Sequence, residues 1–219
     1  TAGGSVGDTP QTPIGVNIGG TIDITAGTDP DSDVNLEGTE NMNIDGIAAG
    51  GDVNLTTNGD IVDESPDGKP MISADGADLN SLNGNVGSEE NPIDLDVDRF
   101  SGSGENLVID DAGDLELGDV RADGTTSITA GGDVTQTPGS TLITDELIFD
   151  TDGDFGNTTD GPIVTNADVI SGTAGDDVNI ENQSDLTVGD IDGDDVTIHV
   201  PGGTLDGGVM WAAVMLFTS

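Results

Sequence analysis

Along most of this chain apolar and polar residues alternate in runs too short for anything but strands. Val34-Asn35-Leu36, Met42-Asn43-Ile44, Val53-Asn54-Leu55, Ile93-Asp94-Leu95-Asp96-Val97 and Val196-Thr197-Ile198 each keep a period of two. That period places one set of side chains on a dry face and the other on a wet one. No run of eleven or more residues holds a 3.6 period, so the pattern predicts strands with no room for crossover helices. Between the strands one corner keeps returning, Gly-Asp followed by an apolar residue. It stands at Gly51-Asp52-Val53, Gly59-Asp60-Ile61, Gly113-Asp114-Leu115, Gly118-Asp119-Val120, Gly132-Asp133-Val134, Gly153-Asp154-Phe155 and Gly189-Asp190-Ile191. The local expectation is that Gly supplies a positive φ, that Asp ties the turn as an Asx-turn, and that the apolar residue re-enters the core.

The pattern also repeats at long range. "DVNLEGTENMNIDGI" (33 to 47) lines up with "NLVIDDAGDLELGDV" (106 to 120) and "DVNIENQSDLTVGDI" (177 to 191), at offsets of 73 and 71 residues. Downstream, "GDVNLTTNGDIV" (51 to 62) faces "GTTSITAGGDVT" (124 to 135) and "DDVTIHVPGGTL" (194 to 205), and "GNVGSEENPI" (84 to 93) faces "GDFGNTTDGPI" (153 to 163). The repeats run 33–105, 106–176 and, in part, 177–206, and "TPIGVNI" (12 to 18) reads as the tail of a preceding one. Short strands with Gly, Asp and Asn corners at a fixed long period indicate a solenoid. The predicted class is all-β, a right-handed parallel β-helix or β-solenoid over residues 1–206, with about three strands per coil of about 24 residues. At roughly 4.8 Å per coil, about nine coils would make a rod on the order of 43 Å long. A β-sandwich is the other architecture such strands allow, with strands that are normally longer.

Composition narrows the partners. Of 219 residues, 44 are acidic and 3 basic, for a formal charge of -41. Nucleic acid and anionic lipid surfaces would be repelled, which leaves divalent cations, cationic surfaces and salt-rich water. There is no Cys, so neither disulfides nor thiolate metal sites hold the chain. No basic n-region or apolar h-region opens the sequence at Thr1, which reads as a fragment or a processed product.

Taken in order, "AGGDVNLTTNGDIV", "GNVGSEENPIDLDVDRFSGSG", "DAGDLELGDVRADG" and "SITAGGDVTQ" resemble the repeat region of filamentous haemagglutinin-like exoproteins, surface adhesins exported by two-partner secretion. The resemblance covers about residues 12 to 206. It implies a long right-handed β-helical shaft, secreted or held at a bacterial cell surface. Its partners would be a host or neighbouring-cell surface, or like subunits. The Asn-Pro-Asn-Gly motif of that family's secretion domain is absent, and low Lys with abundant Asp departs from many members.

The densest carboxylate runs are "DTDGD" (150 to 154) and "DIDGD" (190 to 194). Calcium takes six to eight oxygen ligands, so Asp150, Asp152 and Asp154, with Asp190, Asp192 and Asp194, are the candidate Ca2+ ligands. Solvated corners are the alternative. "DPDSDVNLEGTE" (29 to 40) has EF-hand-like acid spacing, but Val34 stands where that loop needs Gly and the repeat makes 33 to 36 a strand. No catalytic residues are assigned and the chain is expected not to be an enzyme. Lys69, Arg99 and Arg121 are dispersed, His199 in "VTIHV" falls on the outward face, and no Ser-His-Asp order or phosphate-cradling loop occurs. The tail "GGVMWAAVMLFTS" (207 to 219) is uncharged and too short for a spanning helix. It is expected to cap the solenoid or contact a neighbouring subunit. The function these features imply is an extracellular structural or adhesive shaft. The alternatives are a self-assembling fibre or sheath subunit and, below it, a carbohydrate-active β-helix enzyme.

Overall fold

The computed structural model describes residues 1–7, 9–17, 19–65, 69–207 and, for the backbone alone, 213–218. It is a parallel β-solenoid of about nine turns at about 21 residues per turn, and no helix occurs among the described residues. The chain falls into two compact units, Thr1–Ala112 and Gly113–Ser219. The first holds β1 (Ile14–Val16), β2 (Thr21–Thr25), β3 (Val34–Gly38), β4 (Met42–Ala48), β5 (Asp52–Thr57), β6 (Ile61–Asp63), β7 (Ile72–Ser81), β8 (Ile93–Gly104) and β9 (Leu107–Asp111). The second holds β10 (Leu115–Ala122), β11 (Thr125–Ala130), β12 (Val134–Gln136), β13 (Leu142–Thr151), β14 (Ile163–Ala174), β15 (Val178–Asn182), β16 (Leu186–Asp192), β17 (Asp195–Val200), β18 (Leu205–Gly207) and β19 (Ala213–Thr218).

Each strand pairs in parallel with its counterpart one turn away, and the register sets like on like. In the first unit Leu36 pairs with Leu55 and Leu55 with Leu79, while Val34 pairs with Val53 and Val53 with Ala77. In the second, Ile163 pairs with Ile180 and Ile180 with Ile198. All of these aliphatics are 5% exposed or less, so the inward positions of the period-two pattern form continuous apolar files while the backbone closes every ladder bond. The register step is not uniform. Between paired strands it runs from 16 residues between Ile93 and Ile109 to 25 between Ile47 and Ile72, so a 24-residue coil is near the long end. Corners absorb the difference.

Strand lengths carry the long period. From β3 to β8 they are 5, 7, 6, 3, 10 and 12 residues. From β9 to β14 they are 5, 8, 6, 3, 10 and 12. One loop per period projects from a fixed frame. It leaves at Val6-Gly7, Val86-Gly87 and Phe155-Gly156, is closed by antiparallel bridges Thr9↔Thr12, Ser88↔Asn91 and Asn157↔Gly161, and returns at Pro13-Ile14, Pro92-Ile93 and Pro162-Ile163. Here Gly is required twice over. Gly7, Gly87 and Gly156 have φ of 81°, 70° and 66°, and a Cβ on any of them would press into the carbonyl oxygen of Asn35, Val108 or Asn179 in the next turn.

The apolar tail behaves like the rest of the chain where it is described. The backbone of β19 pairs in parallel with β17 along its full length, from Asp195↔Ala213 to Val200↔Thr218, as a further strand of the same ladder. Met210 and Trp211, which give the tail its distinct composition, lie outside the described residues.

Candidate functional site

The Gly-Asp corners are where sequence and structure disagree most usefully. None of the glycines in the seven Gly-Asp-apolar triplets has a positive φ, and their aspartates do not close their own turns. At Asp60, Asp114, Asp119, Asp133 and Asp154 the carboxylate instead reaches one turn along the solenoid and accepts a backbone N–H at the corner there, whereas Asp52 Oδ1 takes the Arg99 guanidinium. In the second unit the file is continuous. Asp114 Oδ1 accepts from Asp133 N at 2.9 Å, Asp133 Oδ1 from Asp154 N at 2.9 Å, Asp154 Oδ1 from Asp177 N at 2.9 Å, and Asp177 Oδ1 from Asp195 N at 3.2 Å. Two further corners carry single bonds of the same kind, from Thr141 N to Asp119 Oδ1 at 3.1 Å and from Thr204 N to Asp185 Oδ1 at 2.7 Å.

The first unit uses the same device with mixed acceptors. Asn41 Oδ1 accepts from Asp60 N at 3.0 Å, and Asp60 Oδ1 from Asn85 N at 2.9 Å. Asn106 Nδ2 then donates to Asn85 Oδ1 at 2.8 Å. Ser5 Oγ accepts from Asp33 N and Asp33 Oδ1 from Asp52 N, at 3.1 and 3.0 Å. The glycine now has a different reason. A Cβ on Gly59, Gly132 or Gly153 would overlap the Oδ1 of Asn41, Asp114 or Asp133, the oxygen that bonds the very next N–H. Gly59-Asp60, Gly132-Asp133 and Gly153-Asp154 are therefore inter-turn sockets: Gly leaves space for the side-chain oxygen below, and Asp sends its own carboxylate to the turn above. The N–H at each corner, which points out of the strand ladder, is satisfied without water.

Buried polar side chains do the same inside. Asn182, fully buried, accepts from Ala167 N at 2.9 Å and from Thr165 Oγ1 at 2.8 Å. The equivalent residue one repeat earlier, Asp111, accepts from Val97 N at 3.1 Å. Gln136 Oε1 and Asp63 Oδ2 take Val164 N and Asp94 N at 2.7 and 3.1 Å. Among the described residues Thr126 Oγ1 is the buried side-chain polar atom left without a hydrogen bond.

The candidate calcium ligands are spread along these elements. Asp150 is exposed at the end of β13 and in register with Thr173, which pairs on its other side with the exposed Asp192 of β16. Asp152 is an exposed corner residue, and Asp154 is a member of the carboxylate file with Oδ1 already committed to Asp177 N. Asp190 and Asp194 are exposed. Among the described residues no three acidic or histidine side chains gather in the manner of a metal site. At 34–38, within the EF-hand-like spacing, the chain is strand β3.

Two of the cations are held in exposed pairs. Arg99 NH2 reaches Asp52 Oδ1 at 3.1 Å across the intervening Gly76, whose lack of a side chain opens the path between turns. Arg121 pairs with Asp123 at 2.9 Å. His199 lies outward and half-buried with Nδ1 3.2 Å from Glu181 Oε2 one turn earlier. Asp185 is held below the ordinary carboxylate range by the N–H and hydroxyl of Thr204.

The residues missed by the motif are the asparagines. Asn41 and Asn85 stand in the columns of Asp114 and Asp154 in the long repeat, and reading down the column instead of along the triplet would have found them. Residues 104–166 match a family described as Repeats of unknown function (DUF5649). That stretch runs from the end of β8 into β14, close to one repeat. No curated protein and no solved structure matches the chain.

Proposed function

We propose that this chain is a structural segment of an extracellular shaft, a β-solenoid whose work is to hold length and to present loops at fixed intervals along a bacterial surface appendage or adhesin. The observation that carries this reading is the corner file from Asp114 to Asp195. Charged groups that would otherwise be free for chemistry are committed, turn after turn, to bonding the next turn. Such bonds add to the strand ladders in the same axial direction, so separating two turns breaks both sets together. The exposed carboxylates keep the lateral surface hydrated and repel like surfaces, which opposes aggregation side to side. The resemblance of residues 12 to 206 to exported adhesin repeats agrees with this reading, and so does the match to a repeat family.

The test is mechanical. Pulling the full chain end to end in single-molecule force spectroscopy should give a series of rips whose contour increments correspond to whole turns or groups of turns. Asp133→Ala should lower the force of the rips that include its corner. A chain that extends smoothly without force peaks in molar salt would overturn the shaft reading, as would turnover of a polysaccharide by the purified protein.

A further inference from the structure

Three Asn-x-Ser/Thr sequences occur in the described residues: Asn54-Leu55-Thr56, Asn157-Thr158-Thr159 and Asn182-Gln183-Ser184. That tripeptide is the acceptor signal for N-linked glycan transfer in exported proteins. The fold separates the three sharply. Asn182 is fully buried, and its side chain bonds Thr165, Ala167 and Ser184. Asn54 lies inside β5, with β3 on one side and β7 on the other, and its Nδ2 donates to Asn35 Oδ1 at 2.9 Å. An enzyme would have to dismantle a ladder to seat either one.

Asn157, itself half-buried, differs in its setting. It opens the projecting loop that leaves the solenoid at Phe155-Gly156 and returns at Pro162-Ile163, and Thr158, Thr159 and Asp160 are all exposed. Its Oδ1 accepts from the backbone N–H of Thr159 and of Asp160, both at 2.8 Å. This is an Asx-turn that folds the third residue of the signal back onto the asparagine amide. The amide Nδ2 donates only on the loop's own surface, to Asp160 Oδ2 at 3.1 Å. The frame also frees the loop's content. Between the same Gly and the same Pro-Ile, residues 88–91 read Ser-Glu-Glu-Asn and are closed by an equivalent bridge, so the solenoid does not dictate what the loop carries.

We propose that Asn157 is an N-glycosylation acceptor, the accessible one of the three, and that the projecting loop presents a glycan at this point of the solenoid. The inference rests on the extracellular reading, because the reaction belongs to exported chains. The donor is a polyisoprenyl-pyrophosphate-linked oligosaccharide. A bond forms between the sugar's anomeric carbon and Asn157 Nδ2 while the anomeric C–O bond breaks. The pyrophosphate leaves with the electron pair, and Nδ2 gives up one proton. No oxidant or reductant is needed.

The experiment uses the full purified chain, folded in molar NaCl, incubated with an oligosaccharyltransferase that reads Asn-x-Ser/Thr and with its lipid-linked donor, then analysed by intact mass and peptide mapping. One glycan per chain, mapped to Asn157, is expected. Asn157→Gln and Thr159→Ala should abolish it and Thr159→Ser should retain it, each with an unchanged circular dichroism spectrum. No transfer to the folded chain, while a urea-unfolded sample is modified, overturns the proposal, and so does transfer to Asn54 or Asn182 in the folded chain. Cell fractionation of the native source separates the two readings. A chain modified in this assay but retained inside its own cell sinks the extracellular reading and leaves Asn157 standing as an acceptor.

Discussion

At the scale of single residues the corner socket makes opposite demands on two neighbours. Gly132 must lack a Cβ because Asp114 Oδ1 occupies that space, and Asp133 must carry an acceptor because Asp154 N points to it. Gly132→Ala is expected to destabilise by about 1–3 kcal/mol, the range for a substitution that must displace a bonded group. Asp133→Ala leaves a corner N–H unpaired and should cost about 1–2 kcal/mol. Asp133→Asn keeps the oxygen and sheds a charge, as Asn41 already does where it accepts Asp60 N. It should therefore be neutral in molar salt and stabilising in dilute buffer, and urea titrations of the three variants at two salt concentrations read all of this directly. An alanine variant as stable as the parent in both salts would remove the socket from the account. Thr126 offers the reverse case. Its hydroxyl is buried without a partner where the repeat places Val53 and Val196. Thr126→Val should stabilise by about 1 kcal/mol in the same titration, the gain from no longer burying an unpaired polar atom.

At the scale of elements the period-two pattern was enough to assign strands, their parallel stacking and the 71–73-residue recurrence, because inward aliphatics must sit over inward aliphatics whichever corner joins them. The corners were less legible. Asp133 and its own turn are adjacent in sequence, whereas the N–H it bonds is 21 residues away, and the triplet alone says nothing about a partner one turn on. The role of Gly was misassigned for the same reason. At Gly59, Gly132 and Gly153 the constraint comes from a neighbouring turn and not from the residue's own φ, whereas at Gly7, Gly87 and Gly156 both apply. The calcium candidates show the converse limit. Spacing along the chain groups Asp150, Asp152 and Asp154, but it says nothing of the bond that Asp154 Oδ1 makes to Asp177 N one turn on. The loop frame gives the element-scale prediction. Gly156→Ala, which meets both a positive φ and the Asn179 carbonyl, should lower the thermal midpoint by at least a few degrees, about 1–2 kcal/mol or more. Gly46→Ala, at a position with open space and no positive φ, should leave the midpoint within about one degree. Equal effects would mean that the frame is not what holds the loop.

At the scale of the whole molecule, charge sets the condition under which the files and ladders persist. The chain carries 44 acidic groups against 3 basic ones, and the stacked turns place carboxylates of one file at a spacing of about 4.8 Å. The screening length is about 10 Å at 0.1 M salt and about 3 Å at 1 M, so repulsion within a file persists in dilute buffer and fades only as salt approaches molar. The unfolded chain spreads the same charge more widely and gains less from added ions. Stability should therefore climb through the whole range from 0.1 to 1 M NaCl, with a rise in thermal midpoint on the order of 10 °C. A conventional domain of mixed charge would level off much earlier. Calcium decides whether anything more specific is present. If Asp150, Asp152 and Asp154, or Asp190, Asp192 and Asp194, bind the ion between them, millimolar CaCl2 added over 1 M NaCl should raise the midpoint saturably. The triple Asp→Asn variant of the binding run should abolish that rise. Screening alone predicts no increment at that background and no difference between variant and parent, and with no three acidic side chains gathered as a metal site among the described residues this is the expected outcome.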